Sequence, residues 1–120
     1  MKILICDDSL MIRRQLKNMI LELGNHEVIE AANGKIAIDL YKENEPNLVY
    51  MDIIMPELDG IGAVEGIVEF DENAKVIMLS SVGTKENLSK ALKVGAVDFI
   101  QKPVEMEILE RTLVKFSKEV

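Results

Sequence analysis

Polar side chains that could do chemistry stand directly after short apolar runs at four points of the chain. These residues are Asp7, Asp8, Asp52, Ser80, Ser81 and Lys102. A short apolar run is typical of a buried strand, and a carboxylate at its end is costly to ionise unless a cation or a hydrogen-bond donor pairs with it. A further apolar run, at residues 26–31, is followed by no comparable group.

Three carboxylates held close together repel one another, which raises their pKa values unless a cation joins them. Mg²⁺ suits such a group because it takes oxygen ligands and binds through one or two carboxylates together with phosphate oxygens. A lysine and a hydroxyl beside the metal would complete a site for a dianionic phosphoryl group. Asp52, after the central apolar run, is the carboxylate placed to accept that group as an acyl phosphate.

Each of these residues also has an ordinary structural interpretation. Asp7, Asp8 and Ser9 could cap the helix that follows them and complement its dipole. Ser80 could be a loop residue at a strand exit, and Lys102 a solvated surface lysine. These separate interpretations do not explain why all of the groups would lie at one edge of the fold.

Short apolar runs alternate with segments of helical period along the chain. Strands are predicted at residues 2–6, 26–31, 47–51, 75–79 and 97–101. Helices are predicted within residues 9–23, 34–44, 60–70, 84–94 and 105–120. Strands that are apolar throughout and separated by helices indicate a parallel sheet covered on both faces. The sequence therefore predicts one α/β domain over residues 1–120, a doubly wound five-stranded sheet in the flavodoxin-like order 2-1-3-4-5 with five helices.

Capping and turn residues mark several of these bounds. Ser9 and Thr84 are candidate N-caps, and Gly24 and Gly95 are candidate helix stops. Asp59-Gly60 is interpreted as a turn. In the predicted strand order, strands one and three are neighbours, and strands four and five follow on one side. The candidate groups after these strands should then converge at the carboxyl edge of the sheet, where open α/β folds bind ligands.

Composition excludes several classes of function. The net charge is −7 and the chain has no basic run, which disfavours nucleic acid as a partner. No apolar segment reaches 18 residues, so membrane insertion is not expected. The single cysteine, Cys6, excludes an internal disulfide and is interpreted as a core residue. We expect a cytoplasmic protein.

Four motifs together resemble the receiver domains of two-component response regulators, most closely the stand-alone CheY-like chemotaxis proteins. The motifs are "ICDDS" at 5–9, "MDIIMPELDG" at 51–60, "IMLSS" at 77–81 and "GAVDFIQKP" at 95–103. The Asp-Asp pair alone would be weak, but all four in order and at these offsets are specific. The resemblance extends over the whole chain.

The resemblance implies a role for each site residue. Asp52 would be the phosphoacceptor and would take the phosphoryl group from a phosphohistidine of a histidine kinase. Asp8 would bind Mg²⁺ directly, Asp7 would bind it through water, and the backbone carbonyl of Ile54 would complete the protein's share of the metal ligands together with Asp52. Lys102 would pair with the phosphoryl group or, before phosphorylation, with Asp52.

The same resemblance implies a switch. Ser80 would hydrogen-bond a phosphoryl oxygen, and Phe99 would turn inward as Ser80 moves. Phe99 lacks the hydroxyl of the tyrosine often found there, so its switch would act by packing alone. Lys102-Pro103 would carry a cis peptide bond. Ser81 adds a hydroxyl to which the sequence assigns no role.

Two further expectations concern the lifetime of the phosphoryl group and its readout. Ile54 and Val82 would border the path of the attacking water, and because both are apolar and β-branched, we expect slow self-dephosphorylation and a partner phosphatase. The readout surface would be the 84–118 face, binding a downstream target such as the flagellar motor switch. A phosphorelay intermediate and a gene-regulatory adaptor remain alternatives.

Other classes fit less well. Haloacid-dehalogenase-type phosphatases also form an aspartyl phosphate, but they need a D-x-D pattern after the first strand, and Asp7 and Asp8 are adjacent. A flavodoxin would need a phosphate-binding Ser/Thr/Gly loop there and aromatic residues around the flavin. A structural pseudo-receiver would normally have lost Asp52 or Lys102. We therefore expect a signalling switch that catalyses only its own phosphorylation and dephosphorylation.

Overall fold

The computed structural model of this 120-residue chain describes residues 1–81 and 85–117, apart from the side chain of residue 85. The strands are β1 (Lys2–Cys6), β2 (Glu27–Ala31), β3 (Leu48–Asp52), β4 (Val76–Ser80) and β5 (Asp98–Gln101). The helices are α1 (Leu10–Leu23), α2 (Gly34–Asn44), α3 (Gly60–Phe70), α4 (Lys85–Lys93) and α5 (Met106–Ser117). Each matches a predicted element, with ends that differ by at most a few residues.

The five strands form one parallel sheet in the order β2-β1-β3-β4-β5. The predicted fold class and strand order are therefore confirmed. The register pairs Cys6 with Met51 and Asp52 with Leu79. It also pairs Ser80 with Gln101. The last residues of β1, β3, β4 and β5 consequently reach the same edge of the sheet.

Helices cover both faces of the sheet, which explains why the inner strands β1, β3 and β4 are almost entirely apolar. Successive strand residues point to opposite faces, so Leu4 and Ile3 enter different cores. One core is closed by α2, α3 and α4, and the other by α1 and α5. Because β3 is buried along its whole length, Asp52 is the last residue of a strand that water does not reach from either side.

Side-chain caps fix the starts of three helices. The Ser9 hydroxyl accepts a hydrogen bond from the backbone N–H of Ile12 at 3.3 Å, as predicted for this N-cap. The Asn33 side chain caps α2 in the same way. Asp59 caps α3, so the residue interpreted as part of a turn also starts a helix. The predicted cap Thr84 lies outside the described residues, as do residues 118–120, which the sequence assigned to the closing helix.

Across 1–81 and 85–117, no helix is both long enough and apolar enough to cross a membrane.

Candidate functional site

A lysine and two buried carboxylates meet at the carboxyl edge of the sheet. The ammonium nitrogen of Lys102 lies 3.1 Å from Oδ2 of Asp7 and 3.1 Å from Oδ2 of Asp52. Asp7 is 1% exposed and Asp52 is 8% exposed, whereas the side chain of Lys102 remains 25% exposed. The lysine follows β5 and reaches across β4 to the ends of β1 and β3, so one cation joins three strands.

Asp8 completes a group of three carboxylates. One oxygen from each of Asp7, Asp8 and Asp52 lies within 4.8 Å of the others. Asp8 is exposed, so this group opens to solvent on one side. Three carboxylate oxygens at this spacing fit a hard divalent cation such as Mg²⁺, which prefers oxygen ligands and retains several waters. One ammonium does not balance three carboxylates, so a further cation would be favoured here.

Burial and the charge of Asp7 raise the pKa of Asp52 above its ordinary value. The ammonium of Lys102 and the backbone N–H of Ile54 act in the opposite direction but do not cancel this effect. Burial alone would lower the pKa of Lys102, yet the carboxylates of Asp52 and Asp7 outweigh it and raise that pKa. The ionised form of Asp52 is therefore disfavoured in the folded protein, and a bound cation would stabilise it.

Ser80 is buried at the end of β4, one residue after Leu79, which pairs with Asp52 in the sheet. Its backbone carbonyl accepts a hydrogen bond from the backbone N–H of Lys102 at 2.6 Å, so the exits of β4 and β5 are held together. The peptide bond between Lys102 and Pro103 is cis, as expected. The Ser80 hydroxyl and the Lys102 ammonium thus lie at the ends of two neighbouring strands that a backbone hydrogen bond joins.

The side chains of three further predicted residues, Ile54, Phe99 and Ser81, are exposed. Ile54 follows Asp52 on the loop to α3, and its side chain is exposed. Phe99 lies on β5 and is 47% exposed, so its ring is outside the core in this structure. Ser81 is exposed next to Ser80. Val82 lies outside the described residues.

Comparison with known proteins identifies the family. The profile of the response regulator receiver domain matches residues 3–114. The chain belongs to the response regulator receiver family. It is 42% identical to the chemotaxis protein CheY of Thermotoga maritima over 117 residues, covering 98% of each chain. It is 41% identical to CheY of Bacillus subtilis over 116 residues, covering 93% of this chain and 97% of that one.

Solved structures agree with this assignment. A response regulator receiver domain protein from Clostridium thermocellum superposes with a TM-score of 0.92 at 28% identity, over 98% of this chain and 94% of that one. The resemblance drawn from the four sequence motifs is therefore confirmed, both for the receiver family and for its CheY-like members.

Several contacts of the receiver site were not predicted from the sequence. Lys102 was expected to pair with Asp52, but it contacts Asp7 equally closely. The second strand was expected to contribute nothing, yet its Glu30 binds Arg13 of α1, and Arg13 in turn binds the backbone of Asp7. The residue types gave no signal for these contacts, because they join long side chains across different elements.

Cys6 is a core residue, as predicted. It is fully buried at the end of β1, and its thiol lies 3.3 Å from the carbonyl oxygen of Asn33 and 3.4 Å from the sulfur of Met55. Burial, together with the negative charge of Asp7, raises the pKa of the Cys6 thiol to about 12. The thiol therefore stays protonated at neutral pH, which makes it a poor nucleophile although it neighbours the site.

Proposed function

We propose that this receiver is a phosphorylation-activated signalling switch in which Asp52 accepts a phosphoryl group from a phosphohistidine of a histidine kinase. The observation that carries this proposal is the contact of the Asp52 carboxylate with Lys102, beside Asp7 and Asp8 and next to the buried Ser80. A nucleophile, a cation and further oxygen ligands for a metal are all present in one place, as phosphoryl transfer requires.

In the proposed reaction a carboxylate oxygen of Asp52 attacks the phosphorus atom of the phosphohistidine. An O–P bond forms, the N–P bond of the donor breaks, and the released imidazole keeps the bonding pair and takes up a proton. The ammonium of Lys102 already lies at the nucleophile and would move to the incoming phosphoryl oxygens. Ser80 would donate its hydroxyl hydrogen to another of these oxygens.

The carboxylates fit Mg²⁺, as their spacing and oxygen ligands indicate. Asp8 and Asp52 would bind the ion directly, Asp7 would bind it through water, and the backbone carbonyl of Ile54 would complete the set. When bound, Mg²⁺ would offset the negative charge of the carboxylates and of the phosphoryl oxygens. Since Lys102 contacts Asp7 and Asp52 and its single charge does not balance three carboxylates, we expect phosphorylation of Asp52 to depend on the metal.

Ser80 and Lys102 would transmit the change, because both would contact the phosphoryl group and they lie at the exits of β4 and β5. Their new contacts with the phosphoryl group would favour one of two arrangements of the 84–118 face. Phe99, exposed on β5, would pack inward in the phosphorylated arrangement. A downstream partner that prefers this arrangement would then bind the phosphorylated protein more tightly.

The named relatives favour a place in chemotaxis for this chain. The relatives from Thermotoga maritima and Bacillus subtilis are both chemotaxis proteins named CheY, and each is covered over nearly its full length. We therefore propose that residues 1–120 act as a single cytoplasmic receiver domain whose target is the flagellar motor switch. A histidine kinase would act upstream, and a phosphatase would remove the phosphoryl group, since the apolar side chain of Ile54 would not orient an attacking water and Val82, outside the described residues, is apolar by residue type.

Phosphoryl uptake from a phosphorylated histidine kinase, followed by mass spectrometry, tests the central assignment. We expect wild type to gain one phosphoryl group in the presence of Mg²⁺, and Asp52→Asn to gain none. Asp39→Asn, the same change at an exposed aspartate of α2, should behave as wild type. Modification of Asp52→Asn with native kinetics would refute the assignment. Repeated turnover of small phosphate esters would instead indicate a phosphatase.

Retention of partners on the immobilised protein tests the readout. With Mg²⁺ and beryllofluoride, which mimics the phosphoryl group, we expect a motor component to bind more tightly than without them. A sensor phosphotransfer protein or a transcription factor retained in the same way would indicate a phosphorelay intermediate or a gene-regulatory adaptor. Equal affinity in both states would reject signalling through the 84–118 face.

A further inference from the structure

Arg13 of α1 joins β2 to the metal-binding edge of the sheet. One terminal nitrogen of its guanidinium donates to the backbone carbonyl oxygen of Asp7 at 2.7 Å. Its Nε donates to a carboxylate oxygen of Glu30, on β2, at 3.1 Å. The side chain of Arg13 is 13% exposed and that of Glu30 is 27% exposed. The guanidinium is therefore fixed at two points and largely shielded from water, unlike an ordinary surface ion pair.

All four polar groups of Asp7 are held in place. Its backbone N–H donates to the carbonyl of Ala31 at 3.2 Å. One carboxylate oxygen accepts from the backbone N–H of Ser9 at 2.9 Å, and the other accepts from Lys102 at 3.1 Å. The backbone carbonyl accepts from Arg13. Of these four partners, Arg13 is the side chain that has no other role in the proposed site.

The carbonyl of Asp7 belongs to the peptide group that links Asp7 to Asp8. This group is planar, so a hydrogen bond that fixes the carbonyl also fixes the direction of the Asp8 N–H and restricts the rotations between the two residues. Without Arg13, the buried carbonyl would lose its partner at a cost of about 1–3 kcal/mol. Rotation of the peptide toward water would recover part of that cost and would turn the two carboxylates away from each other.

We propose that Arg13, oriented by Glu30, is a positioning residue that fixes the Asp7–Asp8 peptide and so directs both carboxylates at one divalent cation. This inference rests on the proposed function, in which that cation is Mg²⁺. Outer contacts that orient metal-binding side chains commonly change metal affinity by ten- to a hundredfold, so the effect is measurable.

A positioning role and a purely electrostatic role for Arg13 predict opposite changes in Mg²⁺ affinity when this residue is replaced. Arg13 is a cation close to a cation site, so loss of its charge alone would reduce repulsion and strengthen Mg²⁺ binding. Loss of positioning would weaken Mg²⁺ binding. Arg13→Lys separates the two effects further, because it retains the charge while an ammonium cannot reproduce the fork that reaches both Asp7 and Glu30.

Titration of the purified protein with MgCl₂, followed by two-dimensional NMR, measures this affinity and reports folding in the same spectra. We expect Arg13→Met to bind Mg²⁺ about tenfold more weakly than wild type. Arg13→Lys should also bind more weakly. Arg14→Met removes the neighbouring, exposed arginine and should bind at least as tightly as wild type. Adding Glu30→Ala to Arg13→Met should cause little further loss, since both changes break the same chain of contacts.

Mg²⁺ binding by Arg13→Met that equals or exceeds the wild-type affinity would overturn the inference, as would an equal loss in Arg14→Met. If Arg13→Met does not fold, Arg13→Lys decides: wild-type affinity overturns the proposal and weaker binding supports it. Asp8→Asn tests the proposed function separately. A wild-type protein that binds no Mg²⁺, or an Asp8→Asn variant that binds it equally well, would refute the metal site itself.

Discussion

Gly60, the first residue of α3, lies directly against the backbone carbonyl oxygen of Asp52. A Cβ atom added at residue 60 would overlap that oxygen and would lie 2.8 Å from Cα of Ile53. The backbone N–H of Gly60 also donates to the carbonyl of Ile53 at 2.8 Å. The start of α3 is therefore packed against the backbone of the candidate phosphoacceptor, with no room for a side chain.

Gly60→Ala should destabilise the fold by about 2 kcal/mol, because the methyl group meets backbone atoms that cannot rotate away. It should also slow phosphoryl uptake, since relief of the clash displaces Asp52. Urea unfolding and the rate of phosphorylation measure the two effects.

Gly62→Ala, two residues further along α3, is the matched control. There the added methyl meets the end of the Leu58 side chain, which can move, and alanine favours the helix by up to about 1 kcal/mol. A Gly60→Ala variant as stable as Gly62→Ala would show that the close approach at Asp52 is relieved without cost.

Much of this fold could be predicted because the periodicity of each segment is strong. Buried parallel strands are apolar throughout, and the helices between them repeat their apolar residues at helical spacing, so strand order and carboxyl edge follow from connection rules. The strand ends then indicated where Asp52, Ser80 and Lys102 would meet.

Contacts that depend on tertiary placement could not be predicted in this way. Gly60 was interpreted as part of a turn, since a sequence does not show that a neighbouring backbone excludes a Cβ atom. Arg13 and Glu30 are separated along the chain and lie on different elements, and a long charged side chain is usually solvated. Only the packing of α1 on one face of the sheet brings the two side chains together beside Asp7.

Asp52→Asn should raise the free energy of unfolding at neutral pH when Mg²⁺ is removed with EDTA. Burial and the charge of Asp7 raise the pKa of Asp52, so its ionised form destabilises the folded state above that pKa. As pH falls, the folded wild type takes up a proton more readily than the unfolded chain, and the advantage of the variant should disappear below the unfolded pKa, near 4.

Urea unfolding of wild type and Asp52→Asn at several pH values measures this difference. Lys102 keeps Asp7 as a partner in the variant, so loss of the ion pair should not cancel the gain. Asp39→Asn, at an exposed position, should leave the stability nearly unchanged at all these pH values. A destabilised Asp52→Asn variant at neutral pH would show that attraction to Lys102 outweighs the repulsion within the carboxylate group.

Tyr41 and Asp71 form a structural pair at the opposite edge of the sheet. The Tyr41 hydroxyl donates to a carboxylate oxygen of Asp71 at 2.7 Å, and Asp71 also ends α3. Burial and this hydrogen bond raise the pKa of Tyr41 above its ordinary value. The stability that the pair contributes is therefore present below about pH 10, the unfolded pKa of tyrosine, and is lost as pH rises above it.

Tyr41→Phe should lower the free energy of unfolding by about 1 kcal/mol at pH 8, since it removes the hydrogen bond. The difference in free energy of unfolding between wild type and variant should narrow as pH rises above 10. Above that pH the unfolded wild type loses the Tyr41 proton, whereas the folded wild type must keep it. Urea unfolding between pH 8 and 11 checks this trend. A difference in free energy of unfolding that stays constant across that range would contradict the raised pKa of Tyr41.

Ile54 should lengthen the life of the phosphoryl group on Asp52. Its exposed side chain follows the phosphoacceptor by two residues, and an apolar, β-branched group there can neither orient an attacking water nor leave it much room. Ile54→Asn supplies a polar partner for that water, so we expect decay about tenfold faster, equivalent to ~1.4 kcal/mol in the barrier. Phosphorylated wild type, Ile54→Asn and Ile54→Val are compared by following loss of the phosphoryl group in the presence of Mg²⁺. The valine control, also β-branched and apolar, should decay at nearly the wild-type rate, and wild type decaying faster than Ile54→Asn would refute this role for the side chain.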